Sequence, residues 1–281
     1  MKTPSDSGKI SAEKLSALCR ARGVKMRVSV LEETDSTNSD VARELRSRIA
    51  ENPGVPVAPF AIFANSQTAG RGRAGRSWAR DSAGNICVSF GFSPSIAPAE
   101  MANFTLWMGA SICEMLVREH GVPASVKWPN DLFCSGKKFA GMLTDVHVDA
   151  ARVRGVIFGI GLNVGRVPAE VENVATSLAH EIGLLGRAAP SVEEVAAELV
   201  STVENAAEKF FSGTFAAEFP ALWARHDMLR GRQVRAIYGE EFFAGIARGI
   251  DARGQILIAP ENVPGELRAF SAGDVSLRGD F

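Results

Sequence analysis

Neither sign of charge dominates this chain: 31 Lys and Arg stand against 32 Asp and Glu, a formal net charge of -1 over 281 residues. A surface built throughout to hold nucleic acid needs a large basic excess, so that class is excluded, although a local basic site is not. Long hydrophobic runs are also missing. None reaches the ~18 residues a membrane helix needs, and the N-terminal MKTPSDSGKISAEK has no apolar stretch of the kind a secretory signal carries. Cysteine is scarce and scattered: Cys19, Cys87, Cys113 and Cys134 form no CxxC pair. That excludes a disulfide framework or a cysteine zinc site and leaves reduced core thiols. His120, His147, His180 and His226 show no metal-ligand spacing. No internal repeat, no low-complexity tract and no G-x-x-x-x-G-K-[ST] phosphate loop is present.

What is there is an ordinary globular mixture, 46% hydrophobic and 22% charged. The expectation is a soluble, cytoplasmic protein with a sizeable core and about two domains' worth of chain. Residues 10–22 suit a short helix, and MRVSVLE (26–32) alternates as a strand. TDSTN (34–38) supplies N-cap chemistry for a helix carrying Val41, Leu45 and Ile49. FAIFA (60–64) and ICVSFGF (86–92) read as strands, and 65–85 between them as a long loop without period. Met101, Phe104, Met108, Ile112 and Met115 place a helix over 99–119. SVKW (125–128), FAGMLTDVHV (139–148) and VRGVIFGIGLNV (153–164) form antiparallel strands around tight turns. Ser191 and Glu194 make a capping box for a helix reaching about Phe211. Beyond Gly231 short β runs are broken by glycine, as in a small β-barrel.

Three segments carry chemistry. GRGRAG (70–75) satisfies G-x-G-x-x-G, but a polar turn follows it instead of a helix, and no acidic residue lies about twenty positions on, so a dinucleotide site is rejected. What remains is a glycine loop with Arg71 and Arg73, able to gather backbone N–H groups and guanidinium forks on an anion, with Gln67 just upstream and Trp78 offering a flat ring. KWPND (127–131) brackets a proline turn with Lys127 and Asp131 and carries Asn130, and GKKFAG (136–141) brings Lys137 and Lys138. Each segment by itself reads equally as a solvated loop, a β-turn with an incidental ion pair, or a hairpin tip.

Taken together and in order, STN (36–38), QTAGRGRAGRSW (67–78), VKWPNDLF (126–133), GKKFAG (136–141), GIGLNV (159–164) and ATSL (175–178) resemble the biotin protein ligases. The C-terminal GRQVRAI…SAGDVSL resembles that family's SH3-like module, and the likeness runs from about residue 30 to 278. It implies an α+β catalytic domain, a mixed sheet with flanking helices of the class II synthetase-like biotin/lipoate ligase type, at 26–228. A helical extension would precede it at 1–25 and an SH3-like β domain follow at 229–281. About thirty residues precede TDSTN, so the short form without a DNA-binding domain is expected.

The implied activity joins biotin to ATP as biotinyl-5′-adenylate, then transfers biotin to a lysine of a biotin carboxyl carrier protein or domain, with Mg²⁺ assisting. The resemblance implies Ser36, Thr37, Asn38, Gln67, Arg71, Gly72, Arg73 and Lys138 as the biotin site. It implies Arg71, Arg73, Trp78, Lys127, Asn130, Lys138 and Asn163 around ATP or the adenylate. Lys138, Arg73 and Asp131 would be the catalytic groups, and Asp131 the candidate metal ligand. Neither DNA nor a membrane is expected as a partner; a homodimer is allowed. One departure is Asp145, a shorter acid than the glutamate frequent there. The rival readings are a lipoate or octanoate ligase or transferase of the same fold, a non-catalytic biotin-sensing regulator, and a degenerate binding module.

Overall fold

A computed structural model describes residues 8–52, 54–72, 75, 78, 84–149, 152–238, 240–260, 265–272 and 276–278. Arg73, expected in the site, lies outside these described residues. Helix α1 (Ala12–Ala21) is capped by the Ser11 hydroxyl and buries Leu15 and Cys19. β1 (Arg27–Leu31) pairs in parallel with β2 (Phe60–Ala64), and α2 (Thr37–Glu51) crosses between them. β3 (Ile86–Phe92) then opens an antiparallel run with β4 (Ala124–Lys127), β5 (Asp131–Cys134), β6 (Lys137–Asp149) and β7 (Arg152–Leu162). Together they form one seven-stranded mixed sheet in the order β1-β2-β3-β7-β6-β5-β4.

The central strands alternate large and small residues, so the two faces of the sheet differ. Ile86, Val88, Phe90 and Phe92 of β3 and Val156, Phe158, Ile160 and Leu162 of β7 belong to the main core. There they share a cluster with α3 (Phe104–Met115) and α5 (Val192–Phe211); Phe104 stacks edge-on to Phe158 and Phe210 at 6.0 and 5.0 Å. The other face presents Cys87, Ser89 and Gly91, then Gly155, Gly159 and Gly161, and α2 lies over it through Val41 and Leu45.

Several expectations needed adjustment. The helix placed over 99–119 is split: a 3-10 turn spans Pro98–Met101, α3 follows, and a wider turn over Leu116–His120 ends at Gly121, φ 72°. Asn103 heads α3 without capping it, because its side-chain amide donates instead to Ala252 O at 2.9 Å. The sequence reading also passed over α4 (Leu178–Leu184) and α6 (Phe215–His226); the latter holds Pro220, a residue that argues against a helix. The Ser191–Glu194 capping box of α5 is present as expected. The last sheet is five-stranded and antiparallel, in the order β11-β10-β9-β8-β12. Its strands are β8 (Gln233–Tyr238), β9 (Glu241–Ile250), β10 (Ile256–Ala259), β11 (Arg268–Phe270) and β12 (Ser276–Arg278). It is fastened to the first sheet where the Trp128 indole N–H donates to Gly254 O at 2.9 Å. All four cysteines are buried and free, as the sequence led us to expect.

Candidate active site

The N-terminus of α2 points along the glycine-lined face of the sheet, and a cleft opens there. Its lining includes Ser36, Thr37, Asn38, Gln67, Arg71, Gly72, Trp78, Asn130, Asp131 and Lys138, brought from five separate stretches of chain. Ser36 caps α2 through extended backbone and spends no side-chain bond on the helix. Its hydroxyl is thereby left at the cleft, where α2 also directs its positive end. The Thr37 N–H donates to Gln67 Oε1 at 2.9 Å, and the Thr37 hydroxyl lies 2.7 Å from that of Ser89. Ser89 donates to Asn38 Oδ1 at 2.5 Å, and Asn38 Nδ2 donates to Asp145 at 3.2 Å. Ser89, 0% exposed on a strand of large apolar residues, is the member of this group that sequence reasoning missed.

The floor is made by absences. A Cβ at Gly159 would run into the Asn38 amide, and one at Gly161 would fall inside the Trp78 indole. Gly141, paired with Gly161, would place a Cβ 2.9 Å from the same ring. Trp78 therefore lies flat on two adjacent strands that have no side chains there. With the ring so placed the free volume is about 130 Å³, less than the ~300 Å³ lower bound of ordinary small-molecule pockets. Burial pushes the neighbouring Cys87 thiol up to about 11, and hydrogen bonds with Trp78 and Gln67 reverse only part of that rise. This thiol is a wall and not a nucleophile at neutral pH.

The opposite rim holds the charges. β5 and β6 are joined by Ser135 and Gly136, both with positive φ (50° and 77°), which makes a two-residue hairpin of the tightest kind. It sets Lys138 Nζ 2.8 Å from Asp131 and 5.7 Å from the Trp78 ring centre. Glu181 holds the tip from outside, accepting from Ser135 at 2.8 Å and Thr176 at 2.6 Å. The Lys138 backbone pairs with the 174–176 segment through Val174 O and the Thr176 N–H, both at 2.9 Å. Beyond that seam lies a second cavity of about 690 Å³, lined in part by Lys137, Arg166, Thr176 and His180. Asn130 braces the first cleft by donating to Met142 O at 2.9 Å. Arg71 reaches Ser39 at 2.6 Å. Lys127 and Asn163 are outside the cleft lining: Lys127 lies over the Phe133 ring at 5.0 Å, and the Asn163 amide donates to Thr176 O at 3.1 Å. No group of three or more His, Cys, Asp or Glu that could hold a metal occurs among the described residues.

A polar pocket against an α-helix N-terminus, with a lysine–aspartate pair on its rim, is compatible with many activated-acid chemistries. The comparison with known proteins decides among them. A curated biotin–[acetyl-CoA-carboxylase] ligase of Mycobacterium tuberculosis is 32% identical over 253 residues, 88% of either chain. The chain belongs to the biotin protein ligase family. The model of the biotin/lipoate A/B protein ligase family matches residues 30–163, and that of the biotin protein ligase C-terminal domain matches 230–278. The bifunctional ligase/repressor BirA of Escherichia coli is 30% identical, over 89% of this chain and 74% of its own. Among solved structures, a biotin protein ligase from Aquifex aeolicus in complex with biotin and ATP superposes with a TM-score of 0.68 at 28% identity, over 90% of this chain and 99% of that one. The mixed sheet followed by a small antiparallel sheet is thus this family's architecture, as expected from the sequence.

Proposed function

We propose that the chain is a biotin–protein ligase: it activates biotin with ATP to biotinyl-5′-adenylate and transfers biotin to a lysine of a biotin carboxyl carrier protein or domain. In the first step a carboxylate oxygen attacks the α-phosphorus and pyrophosphate leaves. In the second the lysine amine attacks the acyl carbon, loses its proton, and AMP leaves. The observation that carries this reading is the Lys138–Asp131 pair, 2.8 Å apart, in the lining of the polar cleft, with Lys137 next in the chain lining the larger cavity. Carboxylate and triphosphate repel each other, and a held cation at the meeting point lowers that cost and stabilises charge on the transferring phosphorus.

The ring system of biotin sits between the α2 N-terminus and the glycine floor, where Ser36, Thr37 and Gln67 offer donors and acceptors to a ureido group. Arg71 and Gly72 close over it, with Arg73 completing that loop. For the ring to enter, Trp78 leaves the glycine floor and flanks the adenine. The triphosphate extends past Lys138 toward Lys137 and Arg166, with Asn130 and Asn163 bracing the seam. Among the described residues Asp131 is the one carboxylate in the lining, a donor set that suits Mg²⁺ arriving on the triphosphate better than a resident metal. When bound, such an ion would neutralise phosphate charge, with Asp131 as its protein ligand. The reaction is placed in the cytoplasm, where ATP and carrier meet; no helix of the described residues is long and apolar enough to cross a membrane. ATP–pyrophosphate exchange, run with biotin, with lipoate and with neither, tests the assignment. Exchange that needs biotin supports it; exchange driven by lipoate instead overturns it.

A further inference from the structure

Beneath the cleft, the hydroxyl and amide groups are joined in one line, and one end of it is an acid. The order is Asp145, Asn38, Ser89, Thr37, Gln67. A carboxylate only accepts, so Asn38 turns its NH₂ toward Asp145 and its oxygen toward Ser89. The Asn38 oxygen only accepts, so the single Ser89 proton goes to it, at 2.5 Å. Ser89 must then accept from Thr37, and the one Thr37 proton is used at 2.7 Å instead of on Gln67 Oε1, 3.3 Å away. Gln67 Oε1 is meanwhile satisfied by the Thr37 backbone N–H at 2.9 Å. From the Thr37 hydroxyl onward, every side-chain proton in the line points toward Asp145. What Thr37 has left for the cleft is a lone pair, and what Gln67 has left is its NH₂.

We propose that Asp145, acting through Asn38 and Ser89, is a positioning group that sets the polarity of the ligand pocket, making Thr37 Oγ1 an acceptor that demands an N–H from the ring beside it. The inference rests on the reading that biotin's ring lies against Thr37 and Gln67. It gives roles to residues that do not need to touch the ligand. Asn38 spends its amide on Ser89 and Asp145 and is held there because Gly159 has no Cβ. Ser89 is a hydroxyl with no exposure, set between Cys87 and Gly91 on β3 and opposite Gly159 of β7. An unsatisfied or reversed line is costly because Thr37, Asn38 and Ser89 are at most 4% exposed.

An Asp145→Asn side chain can donate as well as accept. The Asn38 amide is then free to turn over, Ser89 to donate toward Thr37, and the Thr37 proton to swing into the cleft. The pocket would offer a donor where it had offered an acceptor. Ser89→Ala cuts the line and frees the Thr37 proton, while Asp145→Glu keeps an anion at its end.

The test is calorimetric titration of each purified variant with biotin and with an analogue in which one ureido N–H is replaced by oxygen, making the ring a cyclic carbamate, together with the KM values for biotin and ATP. In Asp145→Asn and Ser89→Ala, biotin affinity is expected to fall by up to about tenfold, the worth of one misdirected neutral hydrogen bond. The preference for biotin over the analogue should narrow or invert and KM for ATP should stay put, while Ser89→Ala loses some melting temperature because the buried Asn38 Oδ1 is left without its donor. Asp145→Glu should restore the parent's preference. A preference unchanged in both Asp145→Asn and Ser89→Ala overturns the proposal if Thr37→Ala still weakens biotin. If Thr37→Ala binds biotin like the parent, the ring does not lie at Thr37, and the placement of biotin fails together with the polarity drawn from it.

Discussion

On the α2 side of the cleft, Thr37, Asn38, Gln67 and Ser89 are at most 7% exposed and are bonded to one another. On the β5–β6 side, the Lys138 and Asp131 side chains keep 35% and 25% of their surface, and a single salt bridge joins them. The first wall is preorganised: its hydroxyls and amides were oriented when the chain folded, so a ligand meets them at little further entropic cost. The second wall carries charges that, in the proposed reaction, change partners, and such charges cannot be sealed among fixed groups. A half-exposed pair contributes little to stability. On the proposed reading, recognition is built into buried, neutral, mutually satisfied groups, and chemistry into more exposed, charged ones that the fold only brings near.

The sharpest way to break this contrast is Lys138→Ala. It should slow ATP–pyrophosphate exchange by ~10²–10³, the scale of one lost preorganised electrostatic contact, while the melting temperature stays near the parent's. Parent-like exchange would remove Lys138 from the reaction. Next is Gly159→Ala on the preorganised side. Its Cβ must displace the Asn38 amide, at about 1–3 kcal/mol of overpacking. Here stability and biotin affinity should fall together, read by chemical denaturation and calorimetry; a fully stable variant with parent affinity would show that the floor has slack.

Asp131→Asn should leave stability alone and reduce kcat by about tenfold, less than the loss of Lys138, because the cation remains but is no longer held. An effect confined to KM for biotin would move Asp131 out of the chemistry.

A base titration probes the walls differently. Burial raises Cys87 to about 11 and Cys134 to about 12 from an ordinary value of 9.0. A raised folded-state value means the thiols' contribution is fully present below 9.0 and is lost as pH climbs from there through 11 and 12. Stability should therefore decline on the alkaline side of pH 9, and Cys87→Ser should flatten part of that decline. The smallest signal expected is optical. Trp107, Trp128 and Trp223 are at most 3% exposed, whereas Trp78 is half-buried in the cleft. Biotin or ATP should change the tryptophan emission, and Trp78→Phe should abolish the change; a persistent change would mean the ring stays on its glycines.

Much of the site was legible because its residues are local exceptions in the sequence. KWPND and GKKFAG place Asp131 and Lys138 on one hairpin, and the spacing alone puts them within reach of each other. Ser36 and Thr37 are readable as an N-cap, since a helix start needs such residues whatever else they do. Ser89 is absent from the sequence reading, Asp145 enters it only as a shorter acid, and the floor glycines only as parts of motifs, although a signal for their role existed. In ICVSFGF and FGIGL (158–162), large and small residues alternate, and a stretch of strand whose small positions all fall on one face must leave room for something there. That alternation was read only as strand, not as a cavity. Lys127 opens KWPND, and the pleat sets it over Phe133, outside the cleft lining.

By itself the sequence determined the elements that follow from local rules: the caps at Ser36 and Ser191, the alternation of β3 and β7, the two-residue turn at Ser135–Gly136, and the glycine break into a second sheet. These depend on neighbours within a few positions, where sterics and hydrogen bonding leave few choices. Only the tertiary structure decided that β3 inserts beside β7, which carries Ser89 to Asn38 and Gly159. It alone turned Trp78 onto Gly141 and Gly161, and set Glu181 under the hairpin that presents Lys138. Those pairings join residues 46 to 83 positions apart. No local propensity encodes them, because they follow from which faces the whole chain must bury against one another.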